Sequence, residues 1–135
     1  MGTESKPELT GGCLCGGVRY RVTGPSRPII YCHCSQCRRT SGHFVAATSV
    51  TREALVIDAD ESLEWFDSSA SASRGFCRRC GSSLFWLPNL RDYVSIMAGT
   101  LDDSSGLEAV EHICVSDKGD YYELADDLPK KPGHY

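Results

Sequence analysis

The stretch YCHCSQCRRTSG, residues 31–42, places three cysteines within six positions. Cys32, Cys34 and Cys37 are close enough in sequence to bind one metal ion from a single loop and the start of a helix. A closed structural metal site normally has four ligands, so three thiolates leave one coordination position open. The segment SQCRRTSG within this stretch predicts about two turns of helix that end at Gly42.

Four other cysteines form two pairs with the spacing of metal ligands. In C-L-C, the sulfurs of Cys13 and Cys15 would lie on one face of an extended segment. In C-R-R-C, Cys77 and Cys80 can direct both sulfurs at one ion from a tight turn. The two pairs therefore complete each other as a closed, structural site of four thiolates. The three-cysteine site is left with one open coordination position. Zinc is the expected metal at both sites, because tetrahedral thiolate coordination suits it.

Histidines offer an alternative in which the second site is also closed and purely structural. His43 or His112 could supply the fourth ligand. His33 is a poorer candidate, because in an extended C-H-C segment its ring points away from the flanking sulfurs. Cys114 is expected to be a small buried apolar residue, although alternation places it on the same strand face as His112 and a metal role for that pair stays open.

The remaining sequence indicates a mainly β domain with little helix. In VRYRV, Val18, Tyr20 and Val22 would face the core, while Arg19 and Arg21 would face solvent. Similar short runs, separated by glycine and proline turn signals, predict an assembly of antiparallel sheets held together by zinc. These runs are HFVAATSV, ALVID, LEWFD, SLFWL, YVSIM and EHICV.

Length and composition predict one globular domain. The chain has 135 residues, a net charge of −4, 41% hydrophobic residues and 24% charged residues, which is ordinary for a globular protein. Residues 1–10 are expected to be a flexible lead-in, residues 11–135 the domain, and SSASAS (68–73) a flexible turn. The acidic balance disfavours nucleic acid as a partner.

The sequence contains no apolar run near the ~20 residues that a membrane span needs. Its N-terminus, MGTESKPELTGG, lacks the apolar core of a secretory signal. We therefore expect a cytoplasmic protein with no membrane partner. In that reducing compartment the eight cysteines would be thiols or metal ligands, and a disulfide framework is disfavoured.

Polar residues just after the three-cysteine motif are the candidate substrate contacts. Arg39, Ser41 and His43 are predicted to line the pocket of the open site. An arginine there could bind a carboxylate or offset the charge of the thiolates. Arg38 and the pair Arg78–Arg79 could do the same, and the alternative is that all of them are solvated surface residues.

Five stretches together resemble the glutathione-dependent formaldehyde-activating enzyme (GFA) family, which also supplies a domain of a vertebrate centromere-associated protein. They lie between residues 11 and 129 and read GGCLCGGVRY, YCHCSQCRRTSG, RGFCRRCGSSLF, AGTLDD and LADDLP. The resemblance implies a β-tent fold with two zinc ions, and a reaction that joins glutathione to formaldehyde or runs in reverse as a carbon–sulfur lyase. The implied structural ligands are Cys13, Cys15, Cys77 and Cys80, and the implied catalytic ligands are Cys32, Cys34 and Cys37.

The chemistry of three thiolates agrees with such a reaction. They make zinc a weak Lewis acid that is better suited to hold a fourth thiolate than to generate hydroxide. A free thiol has a pKa of about 8.5, and coordination removes its proton. Glutathione or another small thiol would replace water and attack a nearby aldehyde. The alternatives are a non-catalytic zinc-binding module and a metal-handling protein.

Overall fold

A computed structural model describes residues 8–134 of the chain. Within this range there are ten strands and one α-helix, α1 (Ser35–Ser41). With seven residues in α1, no helix of the described part is long enough to cross a membrane. The strands are β1 (Leu9–Gly12), β2 (Val18–Val22), β3 (Ile29–Cys32), β4 (Val45–Thr51), β5 (Leu55–Asp60), β6 (Leu63–Ser69), β7 (Ala72–Cys77), β8 (Ser83–Pro88), β9 (Tyr93–Met97) and β10 (Ala109–Ile113).

The strands form two sheets, one of three strands in the order β1-β2-β5 and one of seven in the order β10-β3-β4-β9-β8-β7-β6. All neighbouring strands in these described sheets run antiparallel except β10 and β3, which run parallel. The predicted mainly β fold of antiparallel sheets with little helix is therefore confirmed, with one parallel pair added. The chain reaches β10 by a long connection from β9, along which Leu101 bridges Gly11 of the small sheet.

The core lies between the two sheets and follows the predicted alternation of β2. Val18, Tyr20 and Val22 are buried, whereas Arg19 is only partly covered. The Tyr20 ring packs edge-on against Phe85 of the large sheet, with centroids 5.3 Å apart. Each such buried side chain contributes about 1.5–3 kcal/mol to stability, so β2 joins the small sheet firmly to the large one.

The boundaries of some predicted segments differ from those observed. The lead-in predicted over residues 1–10 lies mostly outside the described residues, and Leu9 and Thr10 belong to β1. The turn predicted between strands at residues 68–73 is the β6–β7 hairpin, in which only Ala70 and Ser71 lie outside the two strands. That turn is held by Asn89, whose backbone and side-chain N–H groups donate to Ser71 O and Ala70 O. The turn is therefore shorter than the predicted stretch.

Gly75 of β7 lies where two aromatic rings approach the backbone. Trp65 and Phe85 stack with centroids 5.9 Å apart, and a Cβ at Gly75 would lie 3.0 Å from both rings. We expect Gly75→Ala to lower the free energy of unfolding by about 1–3 kcal/mol, measured by urea denaturation, because the rings must shift. Gly106→Ala is the control, since a Cβ there meets no atom within 4 Å. Equal effects of the two substitutions would contradict this account.

Candidate metal centres

The four paired cysteines converge as predicted. The Sγ atoms of Cys13, Cys15, Cys77 and Cys80 all lie within 4.8 Å of one another. Sγ of Cys15 is 3.7 Å from Sγ of Cys13 and 3.7 Å from Sγ of Cys77. A tetrahedral ion with metal–sulfur bonds of ~2.3 Å has sulfur–sulfur edges of about 3.8 Å. These residues therefore fit one zinc ion, which would join the end of β7 to the segment after β1.

Donors around this four-cysteine cluster suit thiolates. The Val18 amide donates to Cys13 Sγ over 3.2 Å, and the Cys80 amide donates to Cys77 Sγ over 3.4 Å. The Ser62 hydroxyl lies 3.0 Å from Cys77 Sγ. Hydrogen bonds of this kind stabilise a charged ligand and fix its direction. Because four protein ligands complete a tetrahedron, the cluster leaves no position for a substrate.

The three-cysteine cluster is built by β3 and α1. Cys32 ends β3, and Cys34 is the N-cap of α1, where its Sγ accepts from the Cys37 amide over 3.3 Å. The helix ends at Gly42, whose φ of 85° is the left-handed conformation that favours glycine. The predicted helix is thus confirmed. The three sulfurs lie within 4.8 Å of one another. Among the described residues, no histidine, acidic side chain or further cysteine supplies a fourth ligand atom to this cluster.

The three thiols are close enough to influence one another's protonation. Hydrogen bonds from Cys32 and Cys37 lower the pKa of Cys34 to about 2. The contacts of Cys37 with Cys32 and Cys34 raise the pKa of Cys37, because Cys34 already carries the negative charge. Without an ion, the cluster therefore cannot hold three thiolates. A divalent cation would reverse this balance, and a soft thiolate donor set suits zinc.

A cavity of about 690 Å³ opens beside the three-cysteine cluster. Its volume is in the range of small-molecule sites. Cys32, Cys34 and Cys37 lie in its wall, and the four-cysteine cluster does not. Other parts of the wall combine arginines with apolar and aromatic side chains from strands β4, β7, β8 and β9 and from the connections before β3 and β9. These include Arg27, Arg74, Trp86, Arg91, Tyr93 and Met97.

The residues predicted to contact substrate lie elsewhere. Arg39, Ser41 and His43 are exposed, and none of them lines the cavity. The Ser41 hydroxyl donates to Cys37 O over 2.7 Å, and the His43 ring is hydrogen-bonded to the Tyr121 hydroxyl. The cavity is on the side of α1 that carries Cys37, so proximity in sequence did not place these three residues in the pocket. Their role in substrate binding stays a prediction.

The other predicted arginines have the contacts of surface residues. Arg38 donates from Nε to Asp117 O over 2.9 Å. Arg79 forms an exposed ion pair with Glu61 at 3.5 Å. The arginines in the cavity wall, among them Arg74, were not predicted. Arg74 begins the RGFC segment and lies two residues after Ala72 in β7, so both side chains point to the same face of the strand. That spacing was the available sequence signal that Arg74 points inward.

The predictions for His33 and Cys114 agree with the structure. His33 is fully buried and turned away from the sulfurs, with Nδ1 2.6 Å from the Tyr122 hydroxyl and Nε2 2.9 Å from His112 Nδ1. Burial lowers the pKa of His33 to about 4, so its ring is neutral near pH 7. His112 Nε2 in turn lies 2.8 Å from an Asp126 oxygen. Cys114 is buried, and neither it nor His112 belongs to a metal cluster.

Comparison with known sequences identifies the family. The profile of the family described as glutathione-dependent formaldehyde-activating enzyme matches residues 8–117. The chain belongs to this family. The match of the GFA family includes both cysteine clusters and all six cavity residues named above.

Relatives of known name agree with the GFA assignment. A protein of Halomonas elongata named "Putative glutathione-dependent formaldehyde-activating enzyme" is 32% identical over 127 residues, covering 86% of this chain and 80% of its own. An "Uncharacterized lyase" of Schizosaccharomyces pombe is 28% identical over 121 residues, covering 89% and 88%. A crystal structure of a Rhodobacter sphaeroides protein has a TM-score of 0.57 at 22% identity and covers 75% of this chain and 99% of its own. That likeness shows a shared fold.

Proposed function

We propose that the chain is a zinc-dependent enzyme that joins glutathione, or another small thiol, to formaldehyde or a related aldehyde. In the reverse direction it would act as a carbon–sulfur lyase on the adduct. The observation that carries this proposal is the contrast between the two clusters. Four cysteines close one site, whereas three cysteines in the other border a cavity large enough for a small molecule.

Each chain would hold two zinc ions, one structural and one catalytic. A zinc ion at Cys32, Cys34 and Cys37 would lower the pKa of a thiol bound as its fourth ligand and place that thiol beside the aldehyde. The protein's own groups would supply orientation. Arg27, whose Nη2 donates to Ser49 Oγ over 2.8 Å, and Arg91 would attract the carboxylates of glutathione at the cavity wall.

Membership of the GFA family supports the choice of thiol and aldehyde. We also propose that the reaction takes place in the cytoplasm, whose reducing conditions keep cysteine thiols available as metal ligands. The partners would be small molecules. Neither a membrane nor a nucleic acid is needed by a site of this kind.

The direct test is exchange NMR on free formaldehyde, glutathione and their adduct, with and without the zinc-loaded protein. We expect faster exchange with native protein, and no acceleration after a chelator has removed the metal. Zinc content is measured on the same samples, with two ions per chain expected. Uncatalysed exchange rates at full zinc loading would contradict the proposed reaction and favour a non-catalytic zinc-binding module.

A further inference from the structure

Arg74 is a buried cation beside the three-cysteine cluster. It lies in β7 with only 6% of its surface exposed and forms part of the cavity wall. Its Nη2 donates over 3.9 Å to Cys37 Sγ and over 3.4 Å to Gln36 Oε1, and both contacts are long. Its Nε is buried and donates no hydrogen bond. A guanidinium in this setting has donors that the protein itself does not use.

The surroundings of Arg74 lack a compensating carboxylate. Within residues 8–134, no aspartate or glutamate forms an ion pair with it. A buried charge without a partner is strongly unfavourable. The cluster thiolates can balance part of the charge, but only one sulfur lies within hydrogen-bonding distance. The planar guanidinium is suited to bind an oxygen anion through more than one N–H group, and the cavity is where such an anion can enter.

The location of Arg74 decides which anion this is. Its guanidinium is 3.9 Å from Cys37 Sγ, and in the proposed function the reacting sulfur would be a further ligand of the ion that Cys37 binds. The carboxylates of glutathione lie at the two ends of the peptide, away from its sulfur. The oxygen of the aldehyde, in contrast, is bonded to the same carbon that the sulfur attacks. An anion close to both Arg74 and the sulfur is therefore the aldehyde oxygen.

We propose that Arg74 is a catalytic residue that binds the aldehyde oxygen as it becomes negatively charged. This inference rests on the proposed function. As the thiolate sulfur forms its bond to the carbonyl carbon, the π pair moves to the oxygen, and Arg74 donates hydrogen bonds to that alkoxide. Water then supplies the proton of the hydroxyl group. In reverse, the hydroxyl proton returns to water, the carbonyl re-forms, and the electron pair of the broken carbon–sulfur bond leaves with sulfur. Arg74 stays protonated throughout.

Kinetics of Arg74→Met provide the first test. Removing one donor to an oxyanion typically lowers kcat about 100- to 1000-fold. We expect a loss of about that size in the exchange reaction, with KM for the thiol changed much less. Arg21→Met is the matched control, because Arg21 is a surface residue of β2 paired with Asp58. A native kcat in Arg74→Met would overturn the inference, whereas an inactive native protein would contradict the proposed function instead.

Equilibrium binding gives a second test that does not depend on turnover. Mercaptoacetate carries an anion close to its sulfur, and 2-mercaptoethanol is a neutral thiol of similar size. We expect calorimetry on the zinc-loaded protein to show about tenfold tighter binding of mercaptoacetate. The preference should vanish in Arg74→Met and persist in Arg21→Met.

Two outcomes of the binding test would overturn the role of Arg74. One is an unchanged preference for mercaptoacetate in Arg74→Met, which would place the anion elsewhere. The other is equal weakening of both thiols, which would mean that Arg74 only balances the charge of the cluster. If Arg74→Met does not fold, Arg74→Gln removes the same charge but keeps a polar group, and the same expectations apply to it.

Discussion

Replacing Cys77 with serine is expected to lower the free energy of unfolding by more than about 4 kcal/mol and to release one zinc ion per chain. Cys77 is fully buried at the end of β7, and its Sγ lies 3.7 Å from that of Cys15. A serine hydroxyl stays protonated and is a poor zinc ligand. The variant would therefore lose the ion that joins β7 to the segment after β1. Chemical denaturation and zinc analysis measure the two effects.

Cys114→Ala is the matched control for this substitution. Cys114 is also a buried cysteine, but it belongs to neither cluster. We expect it to keep both zinc ions and to lose only about 1 kcal/mol of stability, as small core truncations do. If Cys77→Ser retained its zinc and were as stable as Cys114→Ala, the four-cysteine cluster would not be a structural metal site.

The two cysteine clusters could be predicted because their signals are local. Cys32, Cys34 and Cys37 lie on one short segment, so their spacing alone brings three sulfurs together. The C-x-C and C-x-x-C pairs each present two sulfurs, and only one combination of the pairs completes a tetrahedron. The alternation in β2 likewise reports which side chains are buried, since side chains point to opposite faces of a strand in turn.

The cavity could not be predicted in the same way. Its wall joins residues that are distant in sequence, such as Arg27, Arg74 and Arg91. Which of them meet depends on strand order and register, which short sequence patterns do not specify. The prediction therefore relied on Arg39 and His43, which are close in sequence to the three cysteines but do not line the cavity.

Strand β7 connects the two clusters physically. It ends at Cys77 in the four-cysteine cluster, and three residues earlier it carries Arg74 to within 3.9 Å of Cys37 Sγ. In the register of the sheet, Arg74 lies opposite Trp86 on β8 and Phe66 on β6. A metal ion that anchors the end of β7 would thus help to hold Arg74 at the cavity. Under the proposed function, damage to the four-cysteine cluster is therefore expected to impair the three-cysteine cluster through this strand.

Cys37→Ser is expected to affect mainly the exchange reaction, whereas Cys77→Ser is expected to affect mainly stability. We expect the zinc content to fall from two ions per chain to one, and the catalysed exchange to slow by more than about 100-fold. Even groups that only support a metal ligand typically change affinity or activity about 10- to 100-fold when they are removed, and Cys37 is itself a predicted ligand. Stability should fall less than in Cys77→Ser, because α1 and β3 are adjacent along the chain and do not need an ion to join them.

The comparison of these two variants distinguishes a catalytic site from a second structural one. Exchange NMR, zinc analysis and chemical denaturation are measured on both proteins under the same conditions. If Cys37→Ser lost as much stability as Cys77→Ser, both clusters would serve the fold, and the zinc-binding module would be the better interpretation. If it lost its zinc but kept native exchange rates, the reaction would not use the three-cysteine site. Loss of exchange with a largely preserved fold is the result that the open cluster and its cavity predict.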